Sequence, residues 1–239
     1  MNIIIFGYGK MGKAIESIAI ERGHTIVGKV TIDNRREFDD GEVVKKADVA
    51  IEFSEPEAAV DNIKLCLKHQ VPVLSGTTGW LEKRPEIDAY TKAQNGAFFY
   101  ASNFSIGVNL FFKLNQTLAN LMKRYNEYDI ALEEIHHTEK KDSPSGTAIT
   151  LAEGILADHP SKNQWVNNPS TNKNELPIIS LREPQVPGTH SIKYTSAVDE
   201  IEIKHTAFSR QGFALGAVHV AEWLPGKKGV LTMDDFLKI

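Results

Sequence analysis

The chain has 239 residues, 41% of them hydrophobic, enough to bury a core as one large domain or two small ones. Its formal charge of −4, with acids and bases interspersed, leaves no footprint for nucleic acid or an anionic membrane, so small molecules are the expected partners. A single cysteine, Cys66, excludes an internal disulfide and fits a reducing cytoplasm. Met1-Asn2 runs directly into Ile3-Ile4-Ile5-Phe6 and a glycine, too short an apolar run for a signal peptide or a membrane span.

That run, Asn2 to Phe6, reads as a strand. It ends in Gly7-Tyr8-Gly9-Lys10-Met11-Gly12, after which Met11, Ile15, Ile18 and Ala19 recur with helical period. Strand, glycine turn and helix in that order form a dinucleotide-binding arrangement. Gly7 permits the tight turn, Gly9 lets the backbone approach a pyrophosphate, and Gly12 allows the helix to pack closely. A Rossmann-type, doubly wound parallel sheet in an α/β fold is therefore expected, with NADH or NADPH as cofactor. Asp33, after the strand Thr25 to Ile32, stands where an acidic residue accepts hydrogen bonds from the adenosine ribose. It reads equally well as a turn residue in Asp33-Asn34-Arg35-Arg36. Asp33 suits the ribose hydroxyls of NADH, whereas Lys10, Arg35 and Arg36 suit the extra phosphate of NADPH.

The alternation continues. Asp48 to Phe53 is a strand, Ser54-Glu55-Pro56-Glu57 caps the next helix, and Ala58 to His69 carries it, with Cys66 as a buried small hydrophobe. Val71 to Ser75 ends in Gly76-Thr77-Thr78-Gly79, at the strand end where open parallel sheets hold ligands, although the loop also reads as a plain turn. Ala97 to Ala101 is a fifth strand and leads into Ser102-Asn103-Phe104-Ser105. Leu110 to Tyr125 reads as an amphipathic helix with Leu110, Phe111, Leu114, Leu118, Leu121 and Met122 inward.

The densest chemistry follows the strand Tyr128 to Ile135. His136, His137 and Lys140 precede Ser143-Pro144-Ser145-Gly146-Thr147, which opens a helix running to Ala157 with Ile149, Leu151, Ala152, Ile155 and Leu156 on one side. The free N–H groups of a helix start attract an anion, and Ser143 or Ser145 serves as readily for an N-cap as for a ligand contact. Two imidazoles and an ammonium group beside that helix end are what a dicarboxylate substrate and a proton donor require. No metal-binding set is singled out.

Further on, Asn163 to Asn174 is polar and reads as a surface loop. Leu176 to Arg182, His190 to Thr195 and Ile201 to Phe208 read as strands, so an α+β region with a mixed sheet is inserted into the first domain. Ser209-Arg210-Gln211-Gly212-Phe213 opens the last long helix, which continues to Leu224, and Asp234 to Leu237 forms a short terminal one. The expected boundaries are a dinucleotide-binding domain over 1–106, completed by 211–239, and a substrate-binding and oligomerisation domain over 107–210.

The run from Glu134 through His136, His137, Lys140, Asp142, Pro144 and Ser145-Gly146-Thr147-Ala148 resembles the active-site signature of the 4-hydroxy-tetrahydrodipicolinate reductase (dihydrodipicolinate reductase) family. Gly76-Thr77-Thr78-Gly79 and Ala101-Ser102-Asn103-Phe104-Ser105-Ile106-Gly107-Val108-Asn109 resemble two further segments of that family. The resemblance spans nearly the whole chain. It implies an NAD(P)H-dependent reductase of lysine and diaminopimelate biosynthesis, with His136 as acid/base and Lys140 as proton donor. His137, Ser145, Gly146 and Thr147 would bind the substrate carboxylates. Gly76, Thr77 and Thr78 would lie along the nicotinamide half of the cofactor, Ala101 to Phe104 beneath it, and the protein would be a homotetramer. The chain departs from the family in lacking an additional glycine in its glycine turn and in a short segment from Ser161 to Ser191. The rival readings are another amino- or imino-acid dehydrogenase on the same fold and a non-catalytic NAD(P)H-sensing regulator.

Overall fold

The computed structural model describes residues 1–209 and 211–238; Arg210 and Ile239, which fall within the ranges expected above, lie outside the described residues. The chain forms two compact units, Met1–Ile106 with Gln211–Ile239, and Gly107–Arg210.

In the first unit the elements are β1 (Asn2–Phe6), α1 (Lys10–Glu21), β2 (Thr25–Val30), β3 (Val49–Glu52), α2 (Pro56–Lys68), β4 (Val73–Ser75), α3 (Arg84–Ala93) and β5 (Ala97–Tyr100). The six-stranded sheet has the order β11-β5-β4-β3-β1-β2, where β11 is Gly229–Leu231, and every pairing in it is parallel. Parallel sheets are covered on both faces, which is why Ile3, Ile4, Ile5 and Phe6 are all fully buried. Strand alternation sends Ile3 and Ile5 against Ile15 and Ala19 of α1, and Ile4 and Phe6 against Ile63 and Leu67 of α2. The C-terminal helix α6 (Gln211–Trp223) adds Ala214, Ala217 and Val218 to the Ile3 layer. The direction of winding changes at β1, with β2 on one side and β3 on the other.

Two elements here carry little sequence signal. Helix α3 buries only Ile87 and Thr91, too few apolar positions to show a period, and β11 is three residues long and held by pairing with β5.

The second unit contains α4 (Ile106–Met122), β6 (Asp129–His136), α5 (Gly146–Asp158), β7 (Gln164–Val166), β8 (Glu175–Arg182), β9 (Gly188–Thr195) and β10 (Glu200–Ala207). Its five-stranded sheet, β10-β9-β6-β8-β7, is mixed: β6 pairs antiparallel with β9 and parallel with β8. One face packs Leu132, Ile178 and Ile192 against Leu151 and Ile155 of α5. A terminal helix, α7 (Met233–Leu237), starts with a capping box between Thr232 and Asp235 in the first unit.

Two expectations are corrected. Leu110, Leu114 and Leu121 are exposed rather than inward, because α4 carries apolar residues around most of its circumference and buries the stripe Val108, Phe111, Asn115, Ala119 and Met122. The polar segment 163–174 holds β7, too short to register as a strand until Trp165 pairs with Leu176.

Tyr194 is fully buried in the second core, and its hydroxyl has no hydrogen-bond partner among the described residues. Such a group keeps its desolvation penalty without return, so Tyr194→Phe should stabilise the protein by about 1 kcal/mol in urea unfolding. A loss of stability instead would mean that the hydroxyl is satisfied in solution.

Candidate active site

The second-unit site grows from the alternation of β6. Ile130, Leu132, Glu134 and His136 share its buried face, so a carboxylate and an imidazole take up positions that the first two residues mark as core. Register supplies their neighbours: His190 lies opposite Glu134 on β9, while Ser180 and Arg182 of β8 lie opposite Glu134 and His136.

Glu134 is completely buried. Its oxygens accept hydrogen bonds from Ser145 N at 3.1 Å and from Ser180 Oγ at 2.8 Å. His136 Nδ1 lies 3.3 Å away, and His190 Nε2 and Arg182 Nη1 lie at 3.7 Å. Burial by itself raises the Glu134 pKa, but donors on His190, Ser145 and Ser180 outweigh it and hold the value at about 2. For His136, burial dominates; with help from His190, Lys140 and Arg182 it overcomes the pull of Glu134 and lowers the pKa to about 4. His136 is thus a neutral base at pH 7. Its Nδ1 has no hydrogen-bond partner among the described residues, and its ring meets His190 edge-on at 5.0 Å.

The loop after β6 is pinned from below. Arg182 Nη2 donates to Asp142 O at 2.7 Å, and Lys140 Nζ donates to both carboxylate oxygens of Asp142 at 2.8 Å, the main cause of that carboxyl's lowered pKa. Ser145 is the N-cap of α5: its Oγ accepts from Ala148 N at 3.2 Å and lies 3.2 Å from His190 Nε2. The buried Ser145 hydroxyl is therefore occupied, whereas Gly146 is exposed and Thr147 and His137 are half-buried on the same loop.

In the first unit, a cavity of about 560 Å³ opens at the carboxyl ends of β1, β2 and β3, where winding direction changes. Gly7, Tyr8 and Gly9 line it, with Thr31, Arg35 and Arg36 among the rest. Gly7 adopts φ +88, and a Cβ there would lie 2.0 Å from Phe53 O, so the turn admits glycine alone. At Gly12 a Cβ would lie 2.4 Å from Gly7 O, which keeps α1 close beneath the turn. No side chain caps α1, leaving the start of that helix to a phosphate, and Gly9 presents backbone with open space around it. These residues fit a dinucleotide.

Lys10, Met11, Gly12 and Asp33 are not among the lining residues, and Asp33 is exposed. Gly76, Thr77 and Thr78 follow β4, and Ala101, Ser102, Asn103 and Phe104 follow β5, along the same sheet edge; none of them lines this cavity, although Gly76 and Phe104 lie against Phe53, which does. Buried Glu52 ties the groups together by accepting from Ser75 Oγ at 2.5 Å, Thr77 Oγ1 at 2.9 Å and the Ser54 hydroxyl. Ser54 Oγ in turn accepts from Asn62, whose Oδ1 accepts from Arg35 Nε at 2.7 Å. Sequence reasoning assigned no role to Glu52, Glu134, Ser180, Arg182 or His190, although Glu134 opens the signature run. For Glu134 a signal existed, its place two and four residues along the strand from Leu132 and Ile130.

The family descriptions "Dihydrodipicolinate reductase, N-terminus" and "Dihydrodipicolinate reductase, C-terminus" match residues 1–104 and 107–237. The chain is 51% identical to the 4-hydroxy-tetrahydrodipicolinate reductase of Christiangramia forsetii, covering 99% of this chain and 98% of that one. It is 33% identical to the enzyme of the same name from Archaeoglobus fulgidus, over 100% of both chains. Among solved structures, a dipicolinate-bound dihydrodipicolinate reductase from Paenisporosarcina sp. TG-14 superposes with a TM-score of 0.78 at 22% identity, covering 99% of each chain, a likeness of fold.

Both lowered pKa values favour the native state when the groups are deprotonated. Acid withdraws that stabilisation as His136 titrates between 6.5 and about 4, and as Glu134 titrates between 4.5 and about 2. Glu134→Gln should cost on the order of 3 kcal/mol near neutral pH, and its deficit should shrink as pH falls from about 5 towards 2. Urea unfolding at a series of pH values measures this, and a deficit independent of pH would assign the effect to packing.

Proposed function

The chain belongs to the dihydrodipicolinate reductase family, and from that premise we propose how its own residues carry the reaction. It reduces 4-hydroxy-2,3,4,5-tetrahydrodipicolinate to tetrahydrodipicolinate with loss of water, consuming NADH or NADPH and a proton, in lysine and diaminopimelate biosynthesis. The nicotinamide, once bound, would supply the hydride.

The observation that carries the reading of the residues is the buried His136 at the end of β6, four residues ahead of Lys140 on the pinned loop that leads into α5. Lys140, paired with Asp142, is the proton donor to the carbanionic carbon left by hydride addition. His136, unprotonated at pH 7, takes the proton from the carbon next to the hydroxyl-bearing one and returns it to the departing hydroxide, so that water leaves with no net change in protons. His137, with Gly146 and Thr147 at the helix start, binds a carboxylate, and Ser145 supports that turn as its cap. In the first unit Gly7, Tyr8, Gly9, Lys10, Met11 and Gly12 hold the pyrophosphate. Gly76, Thr77 and Thr78, with Ala101, Ser102, Asn103 and Phe104, hold the nicotinamide half.

No described helix is long and apolar enough to cross a membrane. The single cysteine is free and buried, which fits a reducing compartment, and we place the enzyme in the cytoplasm. The second unit, with Leu110, Leu114 and Ile201 exposed, carries the subunit contacts of a homo-oligomer, a homotetramer on the family pattern.

The direct test follows NAD(P)H oxidation at 340 nm with freshly generated 4-hydroxy-tetrahydrodipicolinate. Lys140→Ala should fold normally and lose about 100-fold or more in kcat, the range for a positioned proton donor. Near-normal kcat would remove Lys140 from the chemistry.

The adenosine end is lined by Arg35 and Arg36, while Arg35 is engaged by Asn62 and Asp39 and Asp33 stands nearby in sequence. Attraction and repulsion for a 2′-phosphate in this exposed setting differ by only on the order of 1 kcal/mol, so both coenzymes should serve within about tenfold. Replacing Arg35 and Arg36 together by alanine should raise KM for NADPH more than for NADH. Equal effects on both would place the ribose elsewhere.

A further inference from the structure

Glu134, His136 and His190 present one donor atom each, all within 4.8 Å of one another, and all three residues are buried. Across a tetrahedral ion with bonds of about 2.1 Å, donor atoms stand about 3.4 Å apart. The observed separations from Glu134 Oε2 are 3.3 Å to His136 Nδ1 and 3.7 Å to His190 Nε2. Despite the 3.3 Å approach, His136 Nδ1 makes no hydrogen bond, so Oε2 lies off the axis of the ring nitrogen. A hydrogen bond needs the oxygen on that axis; coordination needs an ion on it and the oxygen to one side.

We propose that Glu134, His136 and His190 form a binding site for Zn²⁺ or a similar borderline divalent cation, and that occupancy inhibits the reductase by taking the lone pair of His136. The inhibitory half rests on the reading of His136 as the base; the site itself does not. Two imidazoles and a carboxylate are a donor set that favours zinc over magnesium or calcium. The carboxylate is already oriented by Ser145 N and Ser180 Oγ, the outer partners that metal-ligating side chains use. Opposing the ion are Arg182, 3.7 Å from the other carboxylate oxygen Oε1, and the Ser145 hydroxyl, whose 3.2 Å contact with His190 Nε2 must break. These costs set a moderate affinity and leave the free enzyme active.

The test is titration of the full-length, metal-free protein with Co²⁺, read by visible absorption, and with Zn²⁺ in competition. The expected result is one site per chain with the strong bands of four-coordinate cobalt, displaced by Zn²⁺. His190→Ala should weaken it by more than the about 10–100-fold that loss of an outer-shell partner costs. If that variant does not fold by circular dichroism, His136→Ala is read the same way. Absence of the bands, or bands that persist unchanged in the folded variant, overturns the site. Zn²⁺ that binds there without lowering turnover overturns the inhibition and, with it, the role of His136. A metal-free enzyme inactive on its substrate while the cobalt site forms would count against the assigned reaction alone.

Discussion

A charge with no access to water organises the second unit. The Glu134 carboxylate is stable only because backbone, hydroxyl and cationic donors converge on it from three strands and a helix start. Those donors are also the groups that shape the loop: Ser145 begins α5, and Arg182 grips the backbone at Asp142. Removing the carboxylate would therefore loosen β8, β9 and the α5 turn together, and would leave His136 without the partner that faces its unbonded nitrogen. The same carboxylate leaves His136 neutral because its attraction is outweighed by burial and by neighbouring cations.

The first unit repeats the device at Glu52, the last residue of β3. Hydroxyls of Ser54, Ser75 and Thr77 fill its oxygens, and the chain of contacts runs on through Asn62 to Arg35. The loop after β4 and an arginine of the first-unit cavity are thereby held by one buried group. Catalysis gains from such preorganisation, since a ligand need not spend binding energy ordering the loops that receive it.

Chemically, the two histidines of the signature loop are divided by environment. His136, the last residue of β6, sits against Glu134, His190 and Arg182 and is neutral by burial, while His137, the first residue beyond the strand, is half-buried. Lys140 pairs with Asp142 in a loop held by Arg182. In the proposed mechanism a base and a proton donor within five positions serve a reaction that loses water and gains a proton at carbon.

What sequence alone determined is what local physics controls. Gly7 needed a positive φ, the α5 start needed a cap, and the buried strands of the first sheet showed as unbroken apolar runs, so the doubly wound sheet and the signature loop were legible. Local pattern failed where several faces were apolar, as at Leu110, Leu114 and Leu121, or where an element was too short or too sparsely buried, as in β7, β11 and α3. Only tertiary structure decided that Ser180, Arg182 and His190 surround Glu134. Strand register across separations of more than 40 residues brings them there, and no periodicity along one strand encodes its partner's alignment.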